Sequence, residues 1–284
     1  MPVASETEVG AVRLAVADLE AARDFYERVV GLRAVGQGDG VVGLGFGEAL
    51  VELAHESEAP PRPPSTTGLF HLAILVPSRA ELARSLRRVA EAGWPLAGAS
   101  DHLVSESLYL ADPEGNGIEI YRDRPREEWS YADGRLEMAT LPLDLRSVLA
   151  EAPEADDVPA VASPETRMGH VHLQVADLTA AEDFYAGVLG FEVTVRGYPG
   201  ALFMSAGGYH HHIGLNTWVG EGAPPPPPGS PGLRWFEVVV PDSSELERVE
   251  RSLDDAGEAV EREAAGVLTA DPSRNGVLVR AARG

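Results

Sequence analysis

Two histidines and one glutamate stand where sister segments of this chain carry other residues. Seven residues before each of Asp18, Ser78, Asp177 and Asp242, which read as helix N-caps, lie Ala11, His71, His170 and Trp235. Glu119 sits between Ile118 and Ile120. Through the turns Asp112–Gly117 and Asp271–Gly276 it aligns with Leu278. Two imidazoles and one carboxylate that leave positions open are the ligand set of non-haem Fe(II) oxygen chemistry. Plainer readings stand beside this one. A strand histidine is more often a satisfied structural residue. From its own stretch Glu119 reads as a solvent-facing carboxylate on a half-buried strand, because Glu is rarely buried unless paired. A further group, His210-His211-His212, reads as the start of a closing strand over His210–Leu215. Alternation there would send His211 to one face and His210 and His212 to the other. Glu52 takes the corresponding place in the first copy.

The elements that must position these side chains recur. Residues 10–35 and 169–194 match without gaps through VADL, an Ala pair, DFY and a following Gly. Residues 68–93 and 232–257 form a second pair of copies. Each copy reads as a short alternating strand, an N-cap, one amphipathic helix and a Gly. In the first, Leu19, Ala22, Phe25, Tyr26 and Val29 make the apolar face. Short strands follow, at Val41–Phe46, Ala49–Leu53 and Gly200–Ser205. The second type continues to a DPxxNG turn, where Pro fixes φ and Asn and Gly accept positive φ. The pattern predicts an α+β fold of four βαβββ modules, at 8–55, 68–123, 168–218 and 232–282. Two domains are expected, 8–123 and 168–282, joined by a linker over 124–167. The linker holds a short helix at Leu145–Ala150 and an acidic stretch, Glu151–Pro164. Pro224–Pro228 reads as a rigid spacer.

Composition excludes several classes. The 284 residues carry a formal charge of -22, which argues against a nucleic-acid partner. The absence of cysteine removes disulfides, Cys-zinc sites and thiol nucleophiles. No apolar run reaches transmembrane length, and residues 1–10 lack the basic segment of a signal peptide. A cytoplasmic protein without a membrane partner is the expectation.

The motifs VADLxxAxDFYxxVLGF and DPxGNGIEIY, set in βαβββ modules, resemble the vicinal oxygen chelate superfamily. That group includes glyoxalase I, antibiotic-resistance proteins and type I extradiol dioxygenases. The runs GLFHLAIL, DHLVSESLYLADPEGNGIEIYRDRP, GHVHLQVADL and SAGGYHHHIGLNTW are similar to extradiol dioxygenases of the four-module catechol 2,3-dioxygenase type. The resemblance implies modules paired into two curved-sheet barrels. It implies Fe(II), with Mn(II) as the alternative, on His71, Glu119 and His170. It implies a substrate contact from Tyr109, ten residues before Glu119, and an acid/base role for His211. His102 is the candidate for a further histidine that precedes the tyrosine. A catecholic substrate and O2 are the implied partners, and a homo-oligomer is compatible with the pattern. On this carry-over the cavity belongs to modules two and three, within one chain or between subunits. Sequential pairing would instead group His71, Glu119 and Glu52, as in a glyoxalase-like isomerase or lyase using Ni(II) or Zn(II). A metal-free binding protein is the third reading.

Overall fold

The computed structural model describes residues 1–38, 40–56, 60–151 and 160–283. In chain order the first strands are β1 (Glu8–Val16), β2 (Arg33–Gly38), β3 (Val41–Phe46), β4 (Glu48–His55), β5 (Gly68–Leu75), β6 (Gly98–Asp101), β7 (Ser105–Ala111) and β8 (Gly117–Asp123). Three two-residue strands follow: β9 (Tyr131–Ala132), β10 (Arg135–Leu136) and β11 (Leu141–Pro142). The later strands are β12 (Arg167–Gln174), β13 (Glu192–Val195), β14 (Ala201–Ser205), β15 (Ile213–Asn216), β16 (Gly232–Val240), β17 (Glu261–Glu263), β18 (Gly266–Ala270) and β19 (Gly276–Ala281). The helices are α1 (Leu19–Phe25), α2 (Arg79–Glu91), α3 (Leu145–Leu149), α4 (Leu178–Glu182) and α5 (Ser243–Ala256). Four βαβββ modules are therefore present. Their helices begin at Asp18, Ser78, Asp177 and Asp242, whose side chains accept backbone N–H groups of the first turn. No helix among the described residues is long and apolar enough to cross a membrane.

The chain divides into two compact units. One comprises Leu14–Ala59 and His71–Met168, the other Met1–Arg13, Pro60–Phe70 and Gly169–Gly284. In the first unit β5 runs parallel to β8, pairing His71 with Gly117 and Ala73 with Glu119. Antiparallel β7 pairs Tyr109 with Glu119, and β6 and β11 extend this sheet. The stretch after β8 is more than a linker: β11 pairs with β6, and α3 packs on α2. Residues 152–159 of the acidic stretch lie outside the described residues. In the second unit β12 runs parallel to β15, while β16 runs parallel to β19 and pairs Glu237 with Leu278.

The helices of the first and third modules depart from the single helix that their spacing predicts. Each opens into a π-turn, Tyr26–Val30 after α1 and Asp183–Leu189 after α4. Two successive N–H groups, of Gly31 and Leu32, converge on the carbonyl of Tyr26; Gly190 and Phe191 do the same at Tyr185. Gly31 and Gly190 hold φ of 89° and 95°, the left-handed region that glycine adopts without strain. The widened turn carries a buried tyrosine in each unit. Tyr26 donates to Asp112 Oδ2 at 3.2 Å, and Tyr185 donates to Asp271 Oδ2 at 3.1 Å. Burial, and then the facing carboxylate, push both hydroxyls well above their ordinary value, so each stays an O–H donor. Burial also raises Asp112 and Asp271, against the pull of their hydrogen bonds. Tyr26→Phe deletes one donor to a buried acceptor and is expected to destabilise the protein by about 1–2 kcal/mol, read as a lower urea midpoint at unchanged slope.

A second buried charge group braces β7. Glu106 is met by Arg79 at 2.8 Å and by Arg122 at 2.7 Å. Burial alone would raise Glu106, but these two hydrogen bonds outweigh it and hold its carboxyl below the ordinary value of 4.5. A carboxyl depressed in the folded state stabilises the fold above its unfolded value, and that stability is lost as pH falls through its folded value. Glu106→Gln is therefore expected to cost about 2 kcal/mol near neutrality. The deficit should shrink as pH falls below 4.5, seen as converging urea midpoints of variant and parent.

Candidate metal centre

In the first unit the candidate site residues lie on three neighbouring strands. Period-two alternation puts Ser107 and Tyr109 of β7 on the same face as Glu119 of β8, and His71 lies within the adjacent β5, two residues before the Ala73 that pairs with Glu119. Glu119 is 3% exposed, so the solvent-facing reading does not hold. Ser107 Oγ donates to Glu119 Oε1 at 2.6 Å. His71 Nε2 lies 3.0 Å from Glu119 Oε2, with both side chains buried. A buried imidazole nitrogen and a carboxylate oxygen are donor types that could hold a divalent cation.

Tyr109 stands beside this pair. Its ring centroid is 5.7 Å from that of His71. Its hydroxyl is 2.7 Å from His102 Nε2, while His102 Nδ1 is 2.7 Å from the carbonyl of Ala139. A carbonyl only accepts, so Nδ1 carries the proton. In the neutral ring Nε2 must then accept from the tyrosine O–H. His102 thus links Tyr109 to the Ala139 carbonyl, in the stretch expected to be a linker.

The second unit holds His170 and the His210-His211-His212 run. His170 on β12 is 1% exposed. Its ring lies 4.0 Å from that of His211 and 6.1 Å from that of His210, centroid to centroid. The expected strand over His210–Leu215 is shorter: β15 begins at Ile213, after a bend that holds all three histidines. Strand alternation therefore does not govern them. His210 and His211 lie together instead of facing opposite ways, with their Nδ1 atoms 2.7 Å apart. His212 turns its Nδ1 to the N–H of Ala206 at 3.1 Å, and its carbonyl takes the N–H of Val171 beside His170. Phe203 packs edge-on against His211 at 5.0 Å.

Two of these residues were not singled out from sequence. Ser107 was legible, since it shares the face of Tyr109 two positions away. The carbonyl of Ala139 was not, because no side chain marks it. Glu52, on β4, pairs in register with Gly43 of β3.

Residues 8–120 and 167–271 match the family model described as the Glyoxalase/Bleomycin resistance protein/Dioxygenase superfamily. A catechol-2,3-dioxygenase of Bacillus subtilis is 41% identical over 275 residues, covering 94% of both chains. A biphenyl-2,3-diol 1,2-dioxygenase of Rhodococcus globerulus is 29% identical over 43% of this chain and 68% of its own. Among solved structures, a putative dioxygenase of Bacillus subtilis superposes with TM-score 0.71 at 14% identity, covering 99% of this chain and 86% of that one. Glyoxalase I of Zea mays gives 0.60 at 16%, covering 97% and 92%. At those identities the structural likeness speaks to fold.

Ser107 tests the fit of the ion. Its hydroxyl orients Glu119 without being a ligand type itself. Ser107→Ala is expected to weaken retention of a divalent metal roughly tenfold, measured by competition with a chelator.

Proposed function

We propose that this chain, which belongs to the glyoxalase/bleomycin resistance protein/dioxygenase superfamily, opens the ring of a catechol with O2 beside the hydroxyl pair. The metal is Fe(II), with Mn(II) as the alternative, and His71, Glu119 and His170 are its ligands. The observation that carries the reading is the buried His71–Glu119 pair at 3.0 Å, with Tyr109 and His102 lined up beside it. His170 is included because it is buried and holds in its repeat the place that His71 holds in its own. The relative that is 41% identical supports the reaction class.

When bound, the metal supplies a seat for both catechol oxygens and a path for their electron density to O2. The chain supplies the rest. Ser107 keeps one oxygen of Glu119 occupied, so the other faces His71. Tyr109 gives its own proton to His102 Nε2, so its oxygen accepts a hydrogen bond from a substrate hydroxyl. His211 accepts the proton of a catechol hydroxyl and gives one back after the ring opens, the general acid–base role. Net, one O2 adds across one ring carbon–carbon bond to give a 2-hydroxymuconic semialdehyde-type product. A small diffusible substrate, no nucleic acid and a cytoplasmic setting complete the proposal, supported by the strongly acidic, cysteine-free composition.

Protein loaded with Fe(II) without air and then given catechol should consume one O2 per catechol and turn yellow. Absence of O2 uptake with fully loaded protein overturns the reading. Glu119→Ala should lose both the iron and the reaction while its circular dichroism spectrum stays that of the parent.

A further inference from the structure

We infer that a cavity of the first unit, lined by none of the metal-centre residues, binds a small oxyanion, a phosphate or carboxylate group, through Arg28, Arg33 and Arg88. The cavity is about 610 Å³ and lies between the π-turn after α1, the start of β2 and the last turn of α2. Arg88 lines it and is 3% exposed, yet its Nε and Nη1 have no hydrogen-bond partner among the described residues. Nη2 donates to Ser85 Oγ at 2.8 Å. The carboxylate of Glu81 stands 3.9 Å from Nη1 and is already bonded to Arg84 at 2.6 Å. Burial lowers the pKa of Arg88, and the charges of Glu81 and Glu91 offset this only in part, but a guanidinium stays protonated in proteins. Buried donors left without acceptors cost stability. The cavity is the open side from which acceptors can arrive.

The rest of the lining suits that ligand. Arg28 and Arg33 are exposed there and add two further guanidinium groups. Arg28 pairs with Asp24 at 3.3 Å, but both side chains are largely exposed, so the bond is weak and readily exchanged. Of the two carboxylates in the lining, Glu27 is bonded to Arg23 at 3.2 Å, which leaves Glu91. A cationic lining is out of keeping with a chain whose formal charge is -22. Gly31 makes room for it. At its φ of 89° a Cβ would lie 2.8 Å from Arg88 Nε. Guanidinium groups meet carboxylate and phosphate oxygens in charge-assisted hydrogen bonds, about twice as strong as neutral ones. The described lining holds no aromatic ring on which a base could stack, so the oxyanion itself is what the cavity reads.

The test is the melting temperature of the full-length chain at matched ionic strength in sodium chloride, inorganic phosphate or succinate. Phosphate or succinate should raise it by about 2–4 °C over chloride. A rise with phosphate alone assigns a phosphate group, and a rise with succinate alone a carboxylate. The rise should vanish in Arg88→Met, whereas a salt acting only by exclusion from the surface would keep it. In chloride Arg88→Met should melt with the parent or above it, because it removes a buried charge that lacks acceptors. An arginine satisfied within the fold would give the opposite sign. Arg33→Ala gives a second reading at an exposed position. It should weaken binding of the stabilising anion roughly tenfold by isothermal titration. No rise with either anion, a rise kept in Arg88→Met, a clear loss of stability of Arg88→Met in chloride, or an unchanged affinity in Arg33→Ala each overturns the inference. None of these readouts passes through catechol cleavage, so the result stands apart from the proposed reaction.

Discussion

Each unit depends on a buried carboxylate that fixes a turn and a neighbouring module at once. Asp112 accepts the N–H groups of Glu114 and Asn116, the side-chain amide of Asn116 and the hydroxyl of Tyr26. Asp271 does the same with Ser273, Asn275 and Tyr185. In both cases 86 residues separate the tyrosine from the aspartate. A buried carboxylate left short of donors is costly, so turn, closing strand and the π-turn of the partner module must settle together. Glu119 begins only a few residues after Asp112, on the strand that this turn launches. The placement of Glu119 therefore depends on that of Asp112.

Much of this was legible in the chain. Strand, cap, helix and Gly repeat with enough regularity that four modules follow from counting. Comparing equivalent positions isolated His71, His170 and Glu119 where single-residue rules pointed to structural roles. What escaped is physical rather than statistical. Alternation assumes a regular strand, and the bend before Ile213 breaks it at the His210-His211-His212 run. Helical spacing assumes a 3.6-residue turn, and Tyr26 and Tyr185 sit where the turn widens. The support behind His102 comes from the Ala139 carbonyl, and a backbone atom leaves no mark in a sequence.

The electrostatics of the first unit separate two kinds of buried acid. Glu106 is saturated by arginines, whose fixed charge leaves it no freedom to bind anything else. Glu119 has a serine on one oxygen and an imidazole nitrogen near the other. The two glutamates lie on paired strands, one facing fixed guanidinium charges and the other a hydroxyl and an imidazole.

The fourth module fills the equivalent face with an ion pair. Glu237 occupies on β16 the register place that Ala73 occupies on β5, opposite Leu278 where the other sheet has Glu119. Arg280 meets it with two nitrogens at 2.9 Å each, the N–H of Ala11 adds a third contact, and Gly10 passes so close that any Cβ would collide with the carboxylate. Arg13 lies over the ring of Trp235, 4.6 Å from its centre. The face that carries Glu119 in one sheet is thus closed in the other by an internal ion pair, held from behind by the backbone of Gly10 and Ala11.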